Sequence, residues 1–285
     1  MARLLAEIAR AALANSAREL LRCDAMLRLG GGAEGVHGAR VAVRRMRSDL
    51  RSFEPFLDHE WARSLREEMR WIGDALGAVR DADILVQRLE GDVEALPDAD
   101  RTPAYLVLGS FRSARDAAHA ALHTTLHEAR YAELLARVVT AGRYPVLGAR
   151  AGEDARDGLA DVLAANWKGL RKTVRSRTRP ATDAQLHAIR IRAKRVRYAA
   201  EAAEPAWGAK ATRFAHRLER LQSVLGEHHD AVAAEASLRA LGGGPHALLA
   251  GELVVIEAAS AAKARQQWRA AWKRVAEKQV HFWMR

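Results

Sequence analysis

Apolar residues recur at steps of three and four along nearly the whole chain, separated mainly by Ala, Arg and Glu. This spacing places the apolar side chains on one face of an α-helix, and these residue types favour helix. The short Leu-Val-Val-Ile-Glu stretch at 253–257 lies inside a longer helical pattern and does not indicate a strand. The pattern therefore predicts an all-α protein.

Turn-forming residues divide this helical pattern into segments. The predicted breaks fall at 30–35, 54–55, 91–103, 141–154, 178–183, 204–205 and 242–245. Gly and Pro mark most of them, and both residues interrupt helices. The segments between the breaks predict about eight to eleven helices joined by short connections.

One sequence motif occurs twice. HGARVAVRRMR at 37–47 matches HAIRIRAKRVR at 187–197, 150 residues later, and Glu54–Pro55 matches Glu204–Pro205 at the same offset. LGAVRDA at 76–82 matches LGEHHDA at 225–231, at an offset of 149. Landmarks that keep their order in this way indicate a duplicated helical unit. We predict two pseudo-symmetric helical bundles, a first repeat at 1–143 and a second repeat at 150–285.

The motif arranges its basic residues in a row along one helix face, because a helix turns about 100° per residue. The rows are His37, Arg40, Arg44, Arg47 and Arg51 in the first repeat, and His187, Arg190, Lys194 and Arg197 in the second. The second row ends in Glu201, where the first has Arg51. Solvated faces usually interleave opposite charges, because like charges at i,i+4 repel. Two basic rows therefore favour a bound anion.

An apolar stripe borders each basic row. The stripes are Val43, Met46, Leu50, Phe53 and Leu57, and Leu186, Ile189, Ala193, Val196 and Ala200. The opposite flank of the rows also carries apolar residues, among them Ile191 and Tyr198. Each row is thus bordered by side chains that favour burial, which predicts that the rows line a groove or seam.

The overall charge agrees with an anionic partner. The formal net charge is +11 and the pI is about 10.4, with 39 of the 46 basic residues being Arg. Such a balance indicates a polyanion or an anionic surface. Cys23 is the single cysteine, so an intrachain disulfide and a cysteine-based zinc site are excluded. Without an apolar run long enough for a membrane span or a signal peptide, we expect a cytoplasmic protein.

Further basic rows occur outside the motif. We consider these residues secondary anion-binding candidates, although a solvated helix face explains them at least as well: Arg18, Arg22, Arg112, Arg115, His119, His123, Arg130, Lys168, Arg171 and Arg175. Asp81 and Asp230 follow the two Leu-Gly pairs, and either orient motif arginines or begin helices as capping acids. Gly77 and Gly226 of these pairs are expected to permit close helix approach or to end a helix.

The doubled His-x-x-Arg motif, each copy followed by Leu-Gly-x-x-x-Asp-Ala, resembles the CHAD family, the conserved-histidine α-helical domain. The resemblance covers nearly the whole chain. It implies one domain in which two helical bundles surround a basic central pore that binds inorganic polyphosphate without catalysis or cofactor. It also suggests polyphosphate granules as a location. On this resemblance the two basic rows line the pore, with Arg51 added by extension.

The chemistry of polyphosphate agrees with these rows. Each internal phosphate carries about one negative charge, and Arg can grip two oxygens while remaining charged near neutrality. A helical row rises about 5.4 Å per turn and can follow a linear anion. His37 and His187 ordinarily titrate near pH 6.5, so we expect them to strengthen binding as the pH falls.

Three alternative functions remain open from the residues. An enzyme is the first, but we find no P-loop, Gly-x-Ser-x-Gly elbow or Glu-x-Glu-x-Lys signature of the CYTH triphosphatases. An accessory subunit of a polyphosphate- or triphosphate-metabolising enzyme is a related alternative. A metal site is the second, with candidate ligands His119, His123 and His127, or the His228-His229-Asp230 cluster.

Non-specific nucleic-acid binding is the third alternative, because phosphate contacts dominate affinity there as well. Recognition of single strands usually needs aromatic side chains beside the cations. The two basic rows contain no aromatic residue, and Phe53 and Tyr198 are predicted to face away from them. Trp268 and Trp272 are predicted to pack in the core. Polyphosphate therefore remains the favoured ligand.

Overall fold

The computed structural model describes residues 4–29, 32–242 and 247–277. Within these ranges the chain forms nine α-helices and two short 3-10 helices, at Glu54–Phe56 and Ala149–Gly152. The α-helices are α1 (Leu5–Arg28), α2 (Gly32–Ser52), α3 (His59–Glu94), α4 (Asp98–Leu126), α5 (Ala129–Arg143), α6 (Ala155–Arg175), α7 (Asp183–Trp207), α8 (Ala209–Ala240) and α9 (Ala247–Ala276). The same ranges contain isolated bridges but no sheet, so the all-α prediction is confirmed.

The helix order repeats along the chain. Helices α1 to α4 begin at residues 5, 32, 59 and 98, and helices α6 to α9 begin at 155, 183, 209 and 247. These starts agree with the offset of about 150 residues in the motif. Helix α5 has no counterpart in the part of the second repeat that the structure describes. The repeat boundaries at 1–143 and 150–285 stay a prediction.

Several predicted breaks are shorter than expected. Helix α2 begins at Gly32, inside the break predicted at 30–35. The break predicted at 91–103 is limited to residues 95–97, and Pro103 lies inside α4. Pro205 likewise lies inside α7. Both prolines lie within two turns of a helix end, where the loss of one backbone hydrogen bond does not stop the helix. Helix α7 ends instead at Gly208, whose φ of +54° lies in the left-handed region that favours glycine. Residues 30–31 and 243–246, which fall in two predicted breaks, lie outside the described residues.

Both repeats contribute to one continuous hydrophobic core. The apolar stripes predicted for α2 and α7 are buried in it, with Met46, Leu50 and Ile189 fully inaccessible to solvent. Trp268 and Cys23 are buried in the same core, and Trp272 packs against it. A smaller cluster joins α3, α4, α8 and α9. The shared core holds the two motif helices in fixed positions.

None of the helices in the described ranges combines the length and the apolar composition needed to cross a membrane.

The expectation that Gly77 and Gly226 permit close helix approach or end a helix is wrong. Both lie inside helices, α3 and α8. A Cβ on Gly77 would meet no other atom within 4 Å, and one on Gly226 would lie at the ordinary contact distance of 3.7 Å from Arg190 Nε. Among the described glycines the shortest approach is at Gly158 in α6, where a Cβ would lie 2.5 Å from Leu5 Cδ1 and 3.0 Å from Phe56 Cζ.

These contacts predict opposite effects for two Gly→Ala substitutions. Gly158→Ala inserts a methyl group into a close-packed core and is expected to lower the free energy of unfolding by about 2 kcal/mol. Gly77→Ala has free space and gains helix propensity, so it is expected to raise the free energy of unfolding by up to about 1 kcal/mol. Urea unfolding midpoints of the two variants and the unaltered protein measure both effects. A Gly158→Ala variant as stable as Gly77→Ala would contradict this description of the packing.

Candidate functional site

The two motif helices, α2 and α7, pack against each other and bring their basic rows to one cavity of about 460 Å³. We call it the inter-repeat cavity, because equivalent residues of the two repeats line it. The equivalent pairs are Arg40 with Arg190, Arg44 with Lys194, and Asp81 with Asp230. The rows therefore converge on a common space between the repeats.

A second cavity of about 500 Å³ adjoins the first at Arg44 and Lys194, which line both. We call it the first-repeat cavity, because α2 and α3 form most of its wall. Six basic side chains and a single carboxylate, Asp74, line it. The six are Arg44, Arg47, Arg51, Arg70, Lys194 and Arg195. We call the two adjoining cavities together the cationic space.

Burial and mutual repulsion destabilise the charged forms of these side chains. Burial, followed by Arg190, Arg44 and Arg40, lowers the pKa of Lys194 to about 8. Burial also lowers the pKa of Arg190, and Arg40 of the other repeat adds to this effect against the opposing charge of Asp230. Cations of the two repeats thus repel each other across the cavity. A bound anion would reverse this unfavourable interaction.

The two carboxylates of the inter-repeat cavity lie beside motif arginines. Asp81 Oδ1 is 3.1 Å from Arg40 Nη2. Burial raises the pKa of Asp230, and the charge of Arg190 opposes that rise. Asp81 lies inside α3 and Asp230 inside α8, so the interpretation of these acids as helix caps is wrong. The contact between Asp81 and Arg40 favours a role for Asp81 in orienting that arginine, and Asp230 interacts with Arg190 through its charge.

Two histidines of the second repeat form a pair at the inter-repeat cavity. His187 Nδ1 lies 3.2 Å from Nδ1 of His229, which lines the cavity. Burial and then Arg190 lower the pKa of both imidazoles, that of His229 to about 4. His37 is exposed and lines neither cavity, and its pKa is lowered by burial and then by Arg80. All three imidazoles are therefore mainly neutral at pH 7 in the free protein.

Arg197, the last residue of the second row, is held by acids. Its guanidinium lies 2.9 Å from Glu219 and 3.4 Å from Glu201. It lines neither cavity. The two basic rows are thus equivalent at their centres but differ at this end.

The secondary candidates lie outside both cavities. On α4, Arg112 pairs with Glu90 at 2.7 Å, and His119 lies 3.0 Å from Asp83. Arg115 and Arg130 also pair with acids, Asp116 and Glu68. The exposed remainder consists of Arg18, Arg22, His123, Lys168, Arg171 and Arg175. Acids, most of them from other turns or helices, neutralise several of these cations, and the remaining cations are exposed. A solvated helix face therefore explains these rows better than an anion-binding site does.

Sequence reasoning missed several residues of the site. Arg70 and Arg195 line the first-repeat cavity although neither belongs to a row. Arg195 belongs to the repeated motif, and this is the sequence feature that could have identified it as a residue of the site. Ile191 and Tyr198, predicted to favour burial or to face away, line the same cavity, and Ile191 is 39% exposed. The flank of α7 that carries them faces open space instead of another helix.

The histidine clusters have partners other than a metal. His123 and His127 stack with ring centroids 4.4 Å apart, while His119 contacts Asp83. His228 lies 3.1 Å from Asp183. Over the described ranges, no group of three or more His, Cys, Asp or Glu side chains is arranged to hold a metal ion.

This fold and this site define an all-α protein that has a duplicated basic motif helix and a cationic space between its repeats. The sequence profile of the CHAD domain matches residues 11–239. The chain therefore belongs to the CHAD domain family.

The chain is also similar to individual proteins and to solved structures. The chain is 27% identical over 280 residues to the uncharacterised protein Rv2226 of Mycobacterium tuberculosis (strain ATCC 25618 / H37Rv), covering 93% of this chain and 52% of that protein. It thus spans about half the length of the curated relatives that it matches.

The CHAD domain of the plant Ricinus communis superposes with a TM-score of 0.74 at 25% identity, over 95% of this chain and 92% of that one. PptA from Streptomyces chartreusis gives a TM-score of 0.79 at 22% identity, over 95% and 100%. The PptA likeness shows the common fold.

Proposed function

We propose that this protein binds inorganic polyphosphate, without catalysis, in the inter-repeat and first-repeat cavities. The observation that carries the proposal is the convergence of Arg40, Arg44, Arg190 and Lys194, from two repeats, on one space. Arg47 and Arg51 continue the row into the adjoining cavity. Bringing these cations together costs free energy in the free protein, and a polyanion offsets that cost.

The shape of the cationic space supports a linear anion. Arg44, Arg47 and Arg51 follow one another along α2 at intervals of about one turn, or about 5.4 Å. Each guanidinium can donate two parallel hydrogen bonds to phosphate oxygens. A flexible chain of phosphates can therefore contact several arginines in succession without needing a hydrophobic or base-specific contact.

Nucleic acid fits the same space less well. Among the Phe, Trp and Tyr side chains of the described residues, Tyr198 alone lines either cavity. The Arg197 guanidinium lies 4.9 Å from the centre of its ring and covers one face. Single-stranded nucleic acids usually stack bases on several open aromatic rings. This arrangement supports a ligand that has no bases.

Competition binding tests this proposal. Labelled long-chain polyphosphate is displaced by unlabelled polyphosphate, single-stranded RNA or duplex DNA at matched phosphate and salt concentrations. We expect polyphosphate to compete at least about tenfold better than either nucleic acid, a difference of about 1.4 kcal/mol in binding. Stronger competition by RNA or DNA would overturn the assignment.

Release of orthophosphate tests the absence of catalysis. We expect prolonged incubation with polyphosphate, with and without added Mg²⁺, to release none above a protein-free control. Steady release that depends on protein concentration would instead identify an enzyme. In cells, the proposed ligand predicts that a fluorescent fusion colocalises with polyphosphate granules.

A further inference from the structure

Another cavity, of about 480 Å³, lies between α1, α2 and α7. We call it the acidic cavity, because carboxylates predominate among its charged side chains. Those side chains are Glu7, Arg45, Asp49, Glu201 and Glu204. A negative cavity is unexpected in a chain whose formal net charge is +11. Clefts lined mainly by one sign of charge concentrate ligands of the opposite sign, so this cavity attracts cations.

Asp49 is the buried carboxylate of the acidic cavity, and only 8% of its surface is exposed. Its Oδ2 accepts a hydrogen bond from Ser16 Oγ at 2.5 Å, whereas no donor of the described residues reaches Oδ1. Burial raises the pKa of this carboxyl to about 6, against the hydrogen bond from Ser16 and the charge of Arg45. At neutral pH the cavity therefore contains a buried anion with one oxygen free to accept a hydrogen bond.

The other carboxylates differ in how far the protein satisfies them. Glu201 lies 3.4 Å from Arg197, and Glu204 accepts a hydrogen bond from Thr212 Oγ1 at 3.1 Å. The Glu7 side chain is exposed, and it forms no hydrogen bond or ion pair with the described residues. Glu7 and Asp49 are therefore the acids of this cavity with unmet acceptors.

These two acids lie far apart along α1. Asp49 contacts Ser16, which follows Glu7 by nine residues on the same helix. Nine residues of helix correspond to about 13 Å. A ligand that reaches both carboxylates therefore needs two cationic groups joined by a long spacer.

The remaining wall of the acidic cavity is mainly apolar. Its apolar and aromatic residues are Ile8, Ala11, Ala12, Tyr198, Ala202 and Pro205, and Asn15 and Ser48 add two neutral polar side chains. Methylene groups gain free energy by leaving water against such a wall, and a hydrated metal ion does not. No group of three or more His, Cys, Asp or Glu side chains in the part of the chain that the structure describes is arranged to hold a metal ion. The lining therefore favours an organic cation.

We propose that the acidic cavity binds a linear aliphatic polyamine, with one ammonium group at Asp49, another at Glu7 and the methylene groups against the apolar wall. An ammonium group donates charge-assisted hydrogen bonds to a carboxylate, which offsets the cost of burying Asp49. Arg45 is exposed and its charge opposes the ligand. The acidic cavity adjoins the first-repeat cavity at Ser48 and Tyr198, but the inference does not depend on the proposed function.

Calorimetric titration of the full chain with spermidine, at neutral pH, at low salt and without polyphosphate, tests this inference. We expect saturable binding of one spermidine per chain. Hexaamminecobalt(III) carries the same charge in a compact form without methylene groups, and we expect it to bind at least severalfold more weakly. Absence of saturable spermidine binding, or equally tight binding of the compact ion, would overturn the proposal whether or not the protein binds polyphosphate.

Three substitutions test the position of the ligand. Asp49→Asn keeps the size of the side chain and an acceptor for Ser16, and the loss of a charge-assisted hydrogen bond is expected to weaken spermidine binding at least about tenfold. Glu7→Gln alters an exposed residue and is expected to weaken binding severalfold. Arg45→Gln removes the opposing charge and is expected to strengthen binding severalfold.

Glu133→Gln is the matched control. Glu133 is exposed on α5 and lines none of the three cavities, and its substitution changes the net charge as Glu7→Gln does. We expect its affinity for spermidine to equal that of the unaltered protein. Unchanged affinity in both Asp49→Asn and Glu7→Gln would place the bound polyamine elsewhere and contradict the inference. Weaker binding by Arg45→Gln would contradict it as well, because the guanidinium would then assist the ligand.

Discussion

Replacing Arg44 and Lys194 together by Glu is expected to abolish the proposed polyphosphate binding and to leave the helix content unchanged. These two residues come from different repeats and line both cavities. Losing two charge-assisted contacts at about 2 kcal/mol each corresponds to a weakening of about 1000-fold, and the new carboxylates add repulsion. Fluorescence anisotropy with labelled polyphosphate measures the affinity, and far-UV circular dichroism measures the helix content.

The matched control is Lys168→Glu with Arg171→Glu. These exposed residues of α6 lie outside both cavities, and their reversal changes the net charge by the same amount. We expect only a small, salt-dependent loss of affinity, because exposed charges are screened beyond about 10 Å at moderate salt. A loss as large as that of the Arg44 and Lys194 variant would show that the overall charge, not the cavities, determines binding.

Affinity for polyphosphate is expected to fall by up to about a hundredfold between pH 8 and pH 10. The pKa of Lys194 is lowered to about 8 in the free protein by burial and then by Arg190, Arg44 and Arg40, while Asp230 opposes the shift. A bound polyanion returns this pKa towards its usual value of 10.5, so that binding takes up a proton within this range. Each pH unit then costs up to about tenfold in affinity.

The Lys194→Arg variant isolates this effect, because Arg stays charged throughout the range. We expect its affinity to be nearly independent of pH between 8 and 10, as measured by the same anisotropy titration. The same fall in the variant would assign the pH dependence to another group. Burial, with Arg80 next for His37 and Arg190 next for His187, lowers the pKa of both imidazoles in the free protein, so both are mainly neutral above pH 6.5 before an anion binds.

The same lysine affects folding with the opposite sign. Its pKa in the folded protein is lower than in the unfolded chain, so the unfolded chain holds more protons between pH 8 and pH 10.5. The contribution of Lys194 to the free energy of unfolding therefore rises with pH across this range. Binding is expected to weaken over the same interval. The charge that Lys194 carries at neutral pH therefore lowers the free energy of unfolding.

Helical periodicity predicted the backbone arrangement of the site. The apolar stripes that include Met46 and Ile189 are buried, as their spacing required. The resemblance carried by the repeated motif then implied that the two basic rows line a common pore, and Arg40 and Arg190 do line one cavity. Both inferences depend on contacts between neighbouring turns of one helix or on equivalent positions in two repeats.

The partners of individual side chains could not be predicted in this way. Glu90 neutralises Arg112, and Glu219 neutralises Arg197, in each case from another helix. Periodicity shows which residues share a face, but it does not show which helix or open space lies against that face. For the same reason Tyr198 was assigned to a buried flank although it lines the first-repeat cavity.

The opposite charges of Arg51 and Glu201 have a consequence for how such a domain can evolve. In a homodimer of single repeats every substitution would occur in both subunits, so the two flanks of the shared cavity would always be alike. Covalent fusion of the copies removes this constraint and allows one flank to become acidic while the other stays basic. An unequal pair of flanks is therefore available to the tandem form of this domain but not to a homodimer of identical repeats.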